Sequence, residues 1–223
     1  MWHEYPDQEV CLEALIENIE QRIRHGIANT GRFSLALSGG RSPIPLFERL
    51  SNLVLDWSRV RIRLVDERFV PPDHPDSNER LVREHLLKNH AARADFRGLY
   101  QDAGDIDIAV ESANVEFQAF DLVLLGMGED GHIASLFPHA PQLPAALAPE
   151  AAHYLHVTPP EAAHERISLS LAAVLASAHR ILYIAGDTKR NVLRQAKAER
   201  SSQLPISLLV AEPGVSIDVY WHA

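Results

Sequence analysis

Residues that could transfer protons lie together in segment 120–138, which reads FDLVLLGMGEDGHIASLFP. Its first six residues are apolar except for Asp121, a pattern that predicts a strand buried on both faces of a parallel sheet. Asp130 is a good N-cap residue, so we expect a short helix to begin near Gly131, with His132 in its first turn. Open α/β sheets bind ligands beyond the carboxyl ends of their strands, and this histidine would lie there.

The glycines of this segment, Gly126, Gly128 and Gly131, match the dinucleotide-binding pattern G-x-G-x-x-G taken literally. That pattern requires a long helix after the turn and a second strand that ends on an acidic residue. Four prolines follow by residue 149 instead, and they exclude a long crossover helix. We therefore reject dinucleotide binding, and the simpler alternative is a structural turn that carries a surface histidine.

Three turns share a pattern in which a strand ends, small or polar residues follow, and a helix begins: residues 38–43, 126–132 and 186–190. Helix amino termini offer free N–H groups and positive potential, which suit phosphate. The glycines, hydroxyls and cations that suit a phosphate near these turns are Ser38, Gly39, Gly40, Arg41, Ser42, Arg166, Lys189 and Arg190. The Walker pattern of nucleotide triphosphate sites is absent. The turns thus indicate a small phosphate-bearing ligand, with a purely structural role as the alternative.

The composition limits the classes of protein to consider. A chain of 223 residues with 46% hydrophobic residues can bury a sizeable core, and we expect one domain spanning residues 1–223. The net charge of −9 argues against nucleic acid as a partner. No membrane span and no signal peptide are recognisable, and Cys11 is the only cysteine. We expect a cytoplasmic protein that binds neither membrane nor nucleic acid; the sequence leaves the oligomeric state open, with a monomer favoured.

Strands and helices alternate along the chain. Helices are predicted at residues 8–27, 43–50, 77–87, 103–119 and 167–178, with another after residue 190. Strands are predicted at residues 33–37, 60–65, 120–125, 153–157, 180–185, 206–210 and 217–221. This alternation predicts an α/β fold with a mostly parallel sheet covered on both faces.

Four motifs occur in a fixed order: SGGRSP, VDERFVPPDHPDSN, GMGEDGHIASLFP and ERISLSL. In sequence and spacing they closely resemble the bacterial type of 6-phosphogluconolactonase, a family related to glucosamine-6-phosphate deaminase. The resemblance extends from Phe33 to Lys189 at least, and DGHIASLFP is its most specific part. It implies a Rossmann-like, three-layer α/β/α fold. It also implies a hydrolase that opens 6-phospho-D-glucono-1,5-lactone to 6-phosphogluconate in the oxidative pentose phosphate pathway, without a cofactor.

The same resemblance implies roles for single residues. Asp130 and His132 would be the catalytic pair, with His132 as the general base that activates water. The implied substrate contacts are Ser38, Gly39, Gly40, Arg41, Ser42 and Gly131, with Arg68 and Asn78 at the sugar end, and Arg166 with Lys189 on the phosphate. Ile133 departs from the family pattern, where threonine is more usual.

Simpler roles remain open for several of these residues. Asp130 could serve only as a helix cap, and Asn78 could only cap the helix that follows it. Arg68 could be a surface salt-bridge residue, which Asp66 and Glu67 would support as a charge pair at the strand end.

Twelve histidines invite a metal hypothesis, which their spacing does not support. His153 and His156 are three apart on a predicted strand and so point to opposite faces, and H-E-x-x-H is absent. We predict no required metal.

The main rival is a deaminase or sugar-phosphate isomerase on the same fold. In the deaminase the corresponding stretch resembles IAFNEP, whose glutamate assists the histidine. Here residues 133–138 read IASLFP, without a carboxylate, which favours the lactonase. A non-catalytic sugar-phosphate-binding domain, as in some transcription regulators, ranks third. Such a regulator would need a DNA-binding segment, and residues 1–32 contain one amphipathic helix and no helix-turn-helix.

Overall fold

The computed structural model describes residues 1–100 and 104–223. Its strands are β1 Trp2–Tyr5, β2 Phe33–Leu37, β3 Val60–Leu64, β4 Asp66–Arg68, β5 Asp95–Phe96, β6 Leu122–Leu125, β7 Tyr154–Val157, β8 Arg166–Leu169, β9 His179–Ala185 and β10 Asp218–His222. Its α-helices are α1 Gln8–Thr30, α2 Ile44–Leu50, α3 Asn78–His85, α4 Ile106–Val115, α5 Leu143–Ala146, α6 Leu171–Leu175, α7 Asp187–Ala198 and α8 Ser207–Val210. Short 3₁₀ turns occupy Trp57–Arg59 and Asn89–Arg93.

A seven-stranded sheet in the order β1-β10-β9-β6-β2-β3-β5 organises the molecule, and all its neighbouring strands are parallel. Helices cover both faces, so every residue of β6 is buried, as predicted for a central strand. The antiparallel strands β4, β8 and β7 form a second, three-stranded sheet. The predicted three-layer α/β/α fold with a mostly parallel sheet is confirmed.

Helix α1 shows how local sequence sets the layers. Leu12, Leu15, Ile19 and Ile23 recur at helical spacing and are fully or almost fully buried against the sheet. Each such side chain contributes roughly 1.5–3 kcal/mol by leaving water. The helix ends at Gly31, whose φ of 78° is the left-handed conformation that favours glycine as a C-cap.

Several predicted elements are wrong. Residues 206–210 form helix α8 and not a strand, because a short apolar run does not reveal its secondary structure by periodicity. Residues 167–178 were predicted as one helix, but β8 occupies the first part and α6 the second. Strand β1 has no counterpart in the prediction. The predicted helix 103–119 is α4, which begins after the capping residue Asp105, and residue 103 lies outside the described residues.

The apolar core runs through the described chain from Cys11 to Trp221. The single domain spanning 1–223 stays a prediction, which this continuous core favours. None of the described helices is both long enough and apolar enough to cross a lipid bilayer.

Asp121, the polar residue of the central apolar run, links two strands at their amino-terminal ends. Its Oδ2 accepts hydrogen bonds from the backbone N–H and the Oγ of Ser34, both at 2.7 Å. Ser34 is itself buried, so its donors would lack an acceptor without this carboxylate.

We therefore expect Asp121→Ala to lower the free energy of unfolding by about 1–3 kcal/mol, the cost of a buried donor left unsatisfied. Urea denaturation followed by circular dichroism measures this. The control Glu13→Ala, at an exposed position of α1, should change stability by less than about 0.5 kcal/mol. Equal stability of the two variants would contradict a structural role for Asp121.

Candidate active site

A cavity of about 270 Å³ opens at the carboxyl ends of β2, β6 and β9. Parallel strands bring their following loops to one edge of the sheet, which is where ligands bind in open α/β folds. The cavity is lined by Ser38, Gly39, Gly40, Arg41, Ser42, Pro43, Asp66, Arg68, Asn78, Leu124, Leu125, Gly126, Met127, Gly128, His132, Ala134, Tyr183 and Lys189.

His132 lines this cavity and is in direct contact with Asp130. Asp130 Oδ1 lies 2.6 Å from His132 Nδ1 and also accepts a hydrogen bond from the His132 backbone N–H at 3.1 Å. The carboxylate thus both closes the turn and orients the imidazole. The sequence left open whether Asp130 serves only as a cap, and here it also contacts the ring. His132 Nε2 has no hydrogen-bond partner within the described part of the chain.

The helix predicted near Gly131 is absent. Residues 126–132 form a turn instead, in which the Gly128 N–H donates to the His132 carbonyl at 2.9 Å and the Gly131 N–H donates to the Gly128 carbonyl at 3.1 Å. Gly131 has a φ of 79°, which a helix does not allow. His132 therefore does not lie in the first turn of a helix, and Asp130 is the charged group that contacts its ring.

Two close neighbours restrict the imidazole. A Cβ added to Gly128 would lie 2.3 Å from His132 Nδ1 and from Cε1, so only glycine fits beside the ring. The ring of Phe137 packs against the imidazole with 4.4 Å between ring centroids. The histidine is held in one position before any ligand binds.

The cations Arg41, Arg68 and Lys189 line the same cavity. No carboxylate within the described ranges forms an ion pair with any of the three. Arg68 Nη1 donates instead to the Asp76 carbonyl at 2.6 Å, so the surface salt-bridge interpretation of Arg68 is wrong. In a chain of net charge −9, this local excess of positive charge favours an anionic ligand.

Residues 38–42 add neutral donors beside these cations. The Ser38 Oγ is buried and has no hydrogen-bond partner among the residues described here. A Cβ on Gly39 would lie 1.9 Å from Asn78 Oδ1, so the loop passes directly against this amide. Gly40, with a φ of 93°, turns the chain toward α2. Ser38 thus brings to the cavity a hydroxyl without a partner among the described residues.

Glu67 holds the second side of the cavity together. Its Oε1 accepts from the backbone N–H groups of Arg68 and Asn78 at 2.8 and 2.7 Å. Its Oε2 accepts from the Glu79 N–H at 2.7 Å and from the Ser77 Oγ at 3.1 Å. The side chain is completely buried, and this burial raises the pKa of Glu67 to about 7 in spite of the four donors.

Asn78 does not cap the helix that follows it, because Ser77 does so through its Oγ. Asn78 is the first residue of α3, and its Nδ2 donates to the Asp66 carbonyl at 2.8 Å. Asp66 also lines the cavity, and its Oδ2 accepts from the Ser135 Oγ at 2.6 Å. The Asp66–Glu67 segment therefore supports Arg68 and Asn78 through the backbone and not as a charge pair.

Most of the predicted site residues meet at the cavity: Ser38, Gly39, Gly40, Arg41, Ser42, Arg68, Asn78, His132 and Lys189. Asp130 and Gly131 do not line it, and Asp130 reaches it through His132. Arg166 does not line it either. This arginine is buried, and its Nη1 donates to the carbonyls of Ala163 and His164, both at 2.6 Å. Its contact with a phosphate stays a prediction.

Sequence reasoning missed Tyr183 as a residue of the cavity wall and gave Asp66 no place in it. Tyr183 lies within the apolar run that became β9, and burial raises its pKa. The order of strands in the sheet would have identified it, since β9 neighbours β6. That order is not visible in the sequence.

Known proteins are similar to this chain over its whole length. A family model described as glucosamine-6-phosphate isomerases/6-phosphogluconolactonase matches residues 6–221. The 6-phosphogluconolactonase of Neisseria meningitidis serogroup A is 39% identical over 227 residues, covering 99% of this chain and 98% of that protein. The 6-phosphogluconolactonase of Pseudomonas putida is 38% identical over 224 residues, covering 98% of this chain and 91% of that protein.

Solved structures are also similar. The crystal structure of a 6-phosphogluconolactonase from Shewanella baltica OS155 has a TM-score of 0.94 at 38% identity, covering 100% of this chain and 97% of that one. A monomeric glucosamine-6-phosphate deaminase has a TM-score of 0.84 at 17% identity, covering 99% of this chain and 96% of that one. The second likeness shows a shared fold alone.

The raised pKa of Glu67 makes stability depend on pH. Between about 4.5, its ordinary pKa, and about 7, the folded protein binds a proton that the unfolded chain has lost. The contribution of Glu67 to the free energy of unfolding is therefore fully present below pH 4.5 and is lost as the pH rises through 7. The loss amounts to about 3 kcal/mol at most. We expect the stability advantage of wild type over Glu67→Gln, measured by urea unfolding, to shrink from pH 5 to pH 8.

The matched control is Glu84→Gln, the same change at an exposed position of α3, which should follow the wild type at both pH values. A difference between wild type and Glu67→Gln that does not vary with pH would contradict the proposed titration.

Proposed function

The chain belongs to the glucosamine-6-phosphate isomerase/6-phosphogluconolactonase family, as its four motifs indicated, and we propose that it hydrolyses 6-phospho-D-glucono-1,5-lactone to 6-phosphogluconate in the oxidative pentose phosphate pathway. One observation carries the proposal: an oriented histidine lines the same cavity as three cations that have no carboxylate partner among the described residues. A phosphorylated lactone needs both, a base for water at the carbonyl and positive charge at the phosphate.

Asp130 supports the role of His132 as the general base by selecting its tautomer. A carboxylate only accepts hydrogen bonds, so the 2.6 Å contact requires the proton on Nδ1. Nε2 then carries the lone pair, and it is the nitrogen without a partner among the described residues. In this tautomer Nε2 is the atom that accepts a proton from water in the cavity.

The reaction then follows general base and general acid catalysis. His132 Nε2 takes a proton from water as the water oxygen attacks the lactone carbonyl, and a tetrahedral intermediate forms. The bond between the carbonyl carbon and the ring oxygen breaks as the intermediate collapses, and the imidazolium returns its proton to the departing alkoxide. Asp130 stabilises the imidazolium formed between these steps. The cations of the cavity favour the negative charge that develops on the carbonyl oxygen.

Lys189 is proposed as the main contact of the phosphate. It lies in the first turn of α7, where the helix dipole disfavours a cation unless an anion is bound nearby. Arg41 and Ser38 line the same cavity as Lys189, and an anion bound there would offer both side chains a partner. Arg166 could add a contact only after its guanidinium leaves the carbonyls that it binds here.

The deaminase alternative is disfavoured by Phe137. This residue occupies the position of the glutamate in the deaminase stretch IAFNEP, and its ring packs 4.4 Å from the imidazole. An apolar ring cannot relay a proton, so the assisting carboxylate is replaced by a group that only positions the histidine. The substrate is therefore proposed to be the lactone.

We expect His132→Ala to lower kcat for the lactone by about 10²–10⁴, the usual contribution of a positioned base. Asp130→Asn should also lower kcat, because an amide can donate to Nδ1 and so favour the wrong tautomer. The assay is NMR or spectrophotometry with freshly made lactone, corrected for spontaneous opening. The control His139→Ala, outside the cavity lining, should retain wild-type kcat. Near-normal turnover of a folded His132→Ala protein would remove this residue from the mechanism.

We expect Lys189→Ala to raise KM for the phosphorylated lactone roughly 10–100-fold, the loss of one charged hydrogen bond. The KM for glucono-1,5-lactone, which lacks the phosphate, should change little. The control is Lys197→Ala. Lys197 lies on the same helix but outside the cavity lining, where its ammonium group stacks on the ring of Trp2. If Lys189→Ala affects both lactones equally, this residue does not contact the phosphate.

A further inference from the structure

A second cluster of side chains that could bind a ligand lies outside the cavity lining. It consists of His74, Asp76 and His164, which we call the His–Asp–His cluster. Asp76 Oδ2 lies 3.1 Å from His164 Nε2 and 3.9 Å from His74 Nδ1. One nitrogen or oxygen atom from each residue lies within 4.8 Å of the other two.

These separations are close to those around a shared metal ion. Tetrahedral Zn²⁺ binds histidine nitrogen and carboxylate oxygen at roughly 2.0–2.2 Å, which places ligand atoms about 3.4 Å apart. Two imidazoles and one carboxylate are donors that suit zinc and its neighbours in the first transition row better than Mg²⁺ or Ca²⁺. We propose that the His–Asp–His cluster is a binding site for a divalent ion of the zinc class, with water as a fourth ligand.

The protonation of the cluster supports this proposal. The Asp76 backbone N–H donates to His74 Nδ1 at 3.1 Å, so this nitrogen carries a lone pair and no proton. Asp76 Oδ2 also only accepts, and the two acceptors face each other across 3.9 Å. The hydrogen bond from His164 Nε2 explains one contact of this oxygen, whereas no proton lies between Oδ2 and His74 Nδ1. An ion bound between the three atoms would displace the proton of His164 Nε2 and would take the Nδ1 lone pair in place of the Asp76 N–H.

The backbone of His164 brings its ring to the cluster. This residue has a φ of 71°, the left-handed conformation that is uncommon for a residue with a side chain. The two imidazoles meet edge to face with 5.2 Å between centroids, and His74 and His164 come from loops far apart in the sequence. A bound ion would therefore join the loop after β4 to the loop before β8.

The two joined loops also carry the acceptors of two arginines. Arg68 Nη1 donates to the Asp76 carbonyl and Arg166 Nη1 to the His164 carbonyl, each at 2.6 Å. An ion at the cluster would hold both carbonyls in place. It would bind no reacting atom, because none of its three ligands lines the catalytic cavity. The site is therefore structural, and lactone hydrolysis does not require it.

The test uses the full chain without an affinity tag, freed of metal by a chelator and then dialysed. Calorimetric titration with Zn²⁺ should show one site per chain, and Co²⁺ should give the visible absorption of a four-coordinate site. A hundredfold excess of Zn²⁺ over its Kd should raise Tm by roughly 5–10 °C, since only the folded chain has the site.

The variants His164→Asn and Asp76→Asn each remove one ligand. Asparagine tolerates the left-handed conformation of position 164, and it preserves the shape of position 76. Each variant should lower the affinity for Zn²⁺ at least tenfold and abolish the Co²⁺ absorption. His156→Ala is the control, since this histidine lies with Asp107 and Glu165 in a different group of side chains.

Three results would overturn the proposal: no Zn²⁺ binding by the wild type, unchanged affinity in both ligand variants, or loss of affinity in His156→Ala. Each result is independent of lactone hydrolysis, because binding, absorption and Tm are measured without substrate.

Discussion

The parallel pairing of β2 with β6 is the constraint on which the site depends. Leu35 pairs with Leu122 and Leu37 with Leu124, and the ladder ends where the Ser38 N–H donates to the Leu124 carbonyl at 3.0 Å. Both strands therefore end at one level, and the turns that follow them leave the sheet side by side. This register places the serine–glycine turn and the histidine turn in one cavity, although some 90 residues separate them in the chain.

A buried carboxylate provides the second constraint. Glu67 binds three backbone N–H groups and one hydroxyl, and these join β4 to the start of α3. Burying a carboxylate is costly, and its raised pKa shows that the hydrogen bonds offset this cost only in part. The arrangement fixes the backbone that presents Arg68 and Asn78. The backbone of the cavity wall is thus held by a buried carboxylate, although burial makes the ionised form of Glu67 less stable than it would be in water.

The cavity combines two kinds of chemistry. The imidazole is held by Asp130, Gly128 and Phe137, so its position does not depend on a ligand. Arg41 and Lys189, which line the same cavity, lack carboxylate partners among the described residues and depend on a ligand to neutralise them. A prepositioned base beside cations without carboxylate partners directs binding energy toward placing the carbonyl at the histidine.

The sequence alone identified the fold class, the family and half of the residues that line the cavity, because each depends on local patterns. Short apolar runs identify strands such as β2. The spacing of the glycines before His132 is a property of the sequence itself, so it can be recognised without knowing the fold. Short segments were less predictable: β1 was missed and α8 was taken for a strand, since a few apolar residues suit either structure.

Only the tertiary structure decided which groups meet across long distances in the chain. The order of strands brought Tyr183 into the cavity, and the pairing of β4 with β8 placed Arg166 opposite Arg68 in the register, with its guanidinium bonded to backbone carbonyls. The same folding joined His74 to His164. Such contacts depend on register and on loop paths, which are set by the packing of the whole core and leave no periodic signal in the residues themselves.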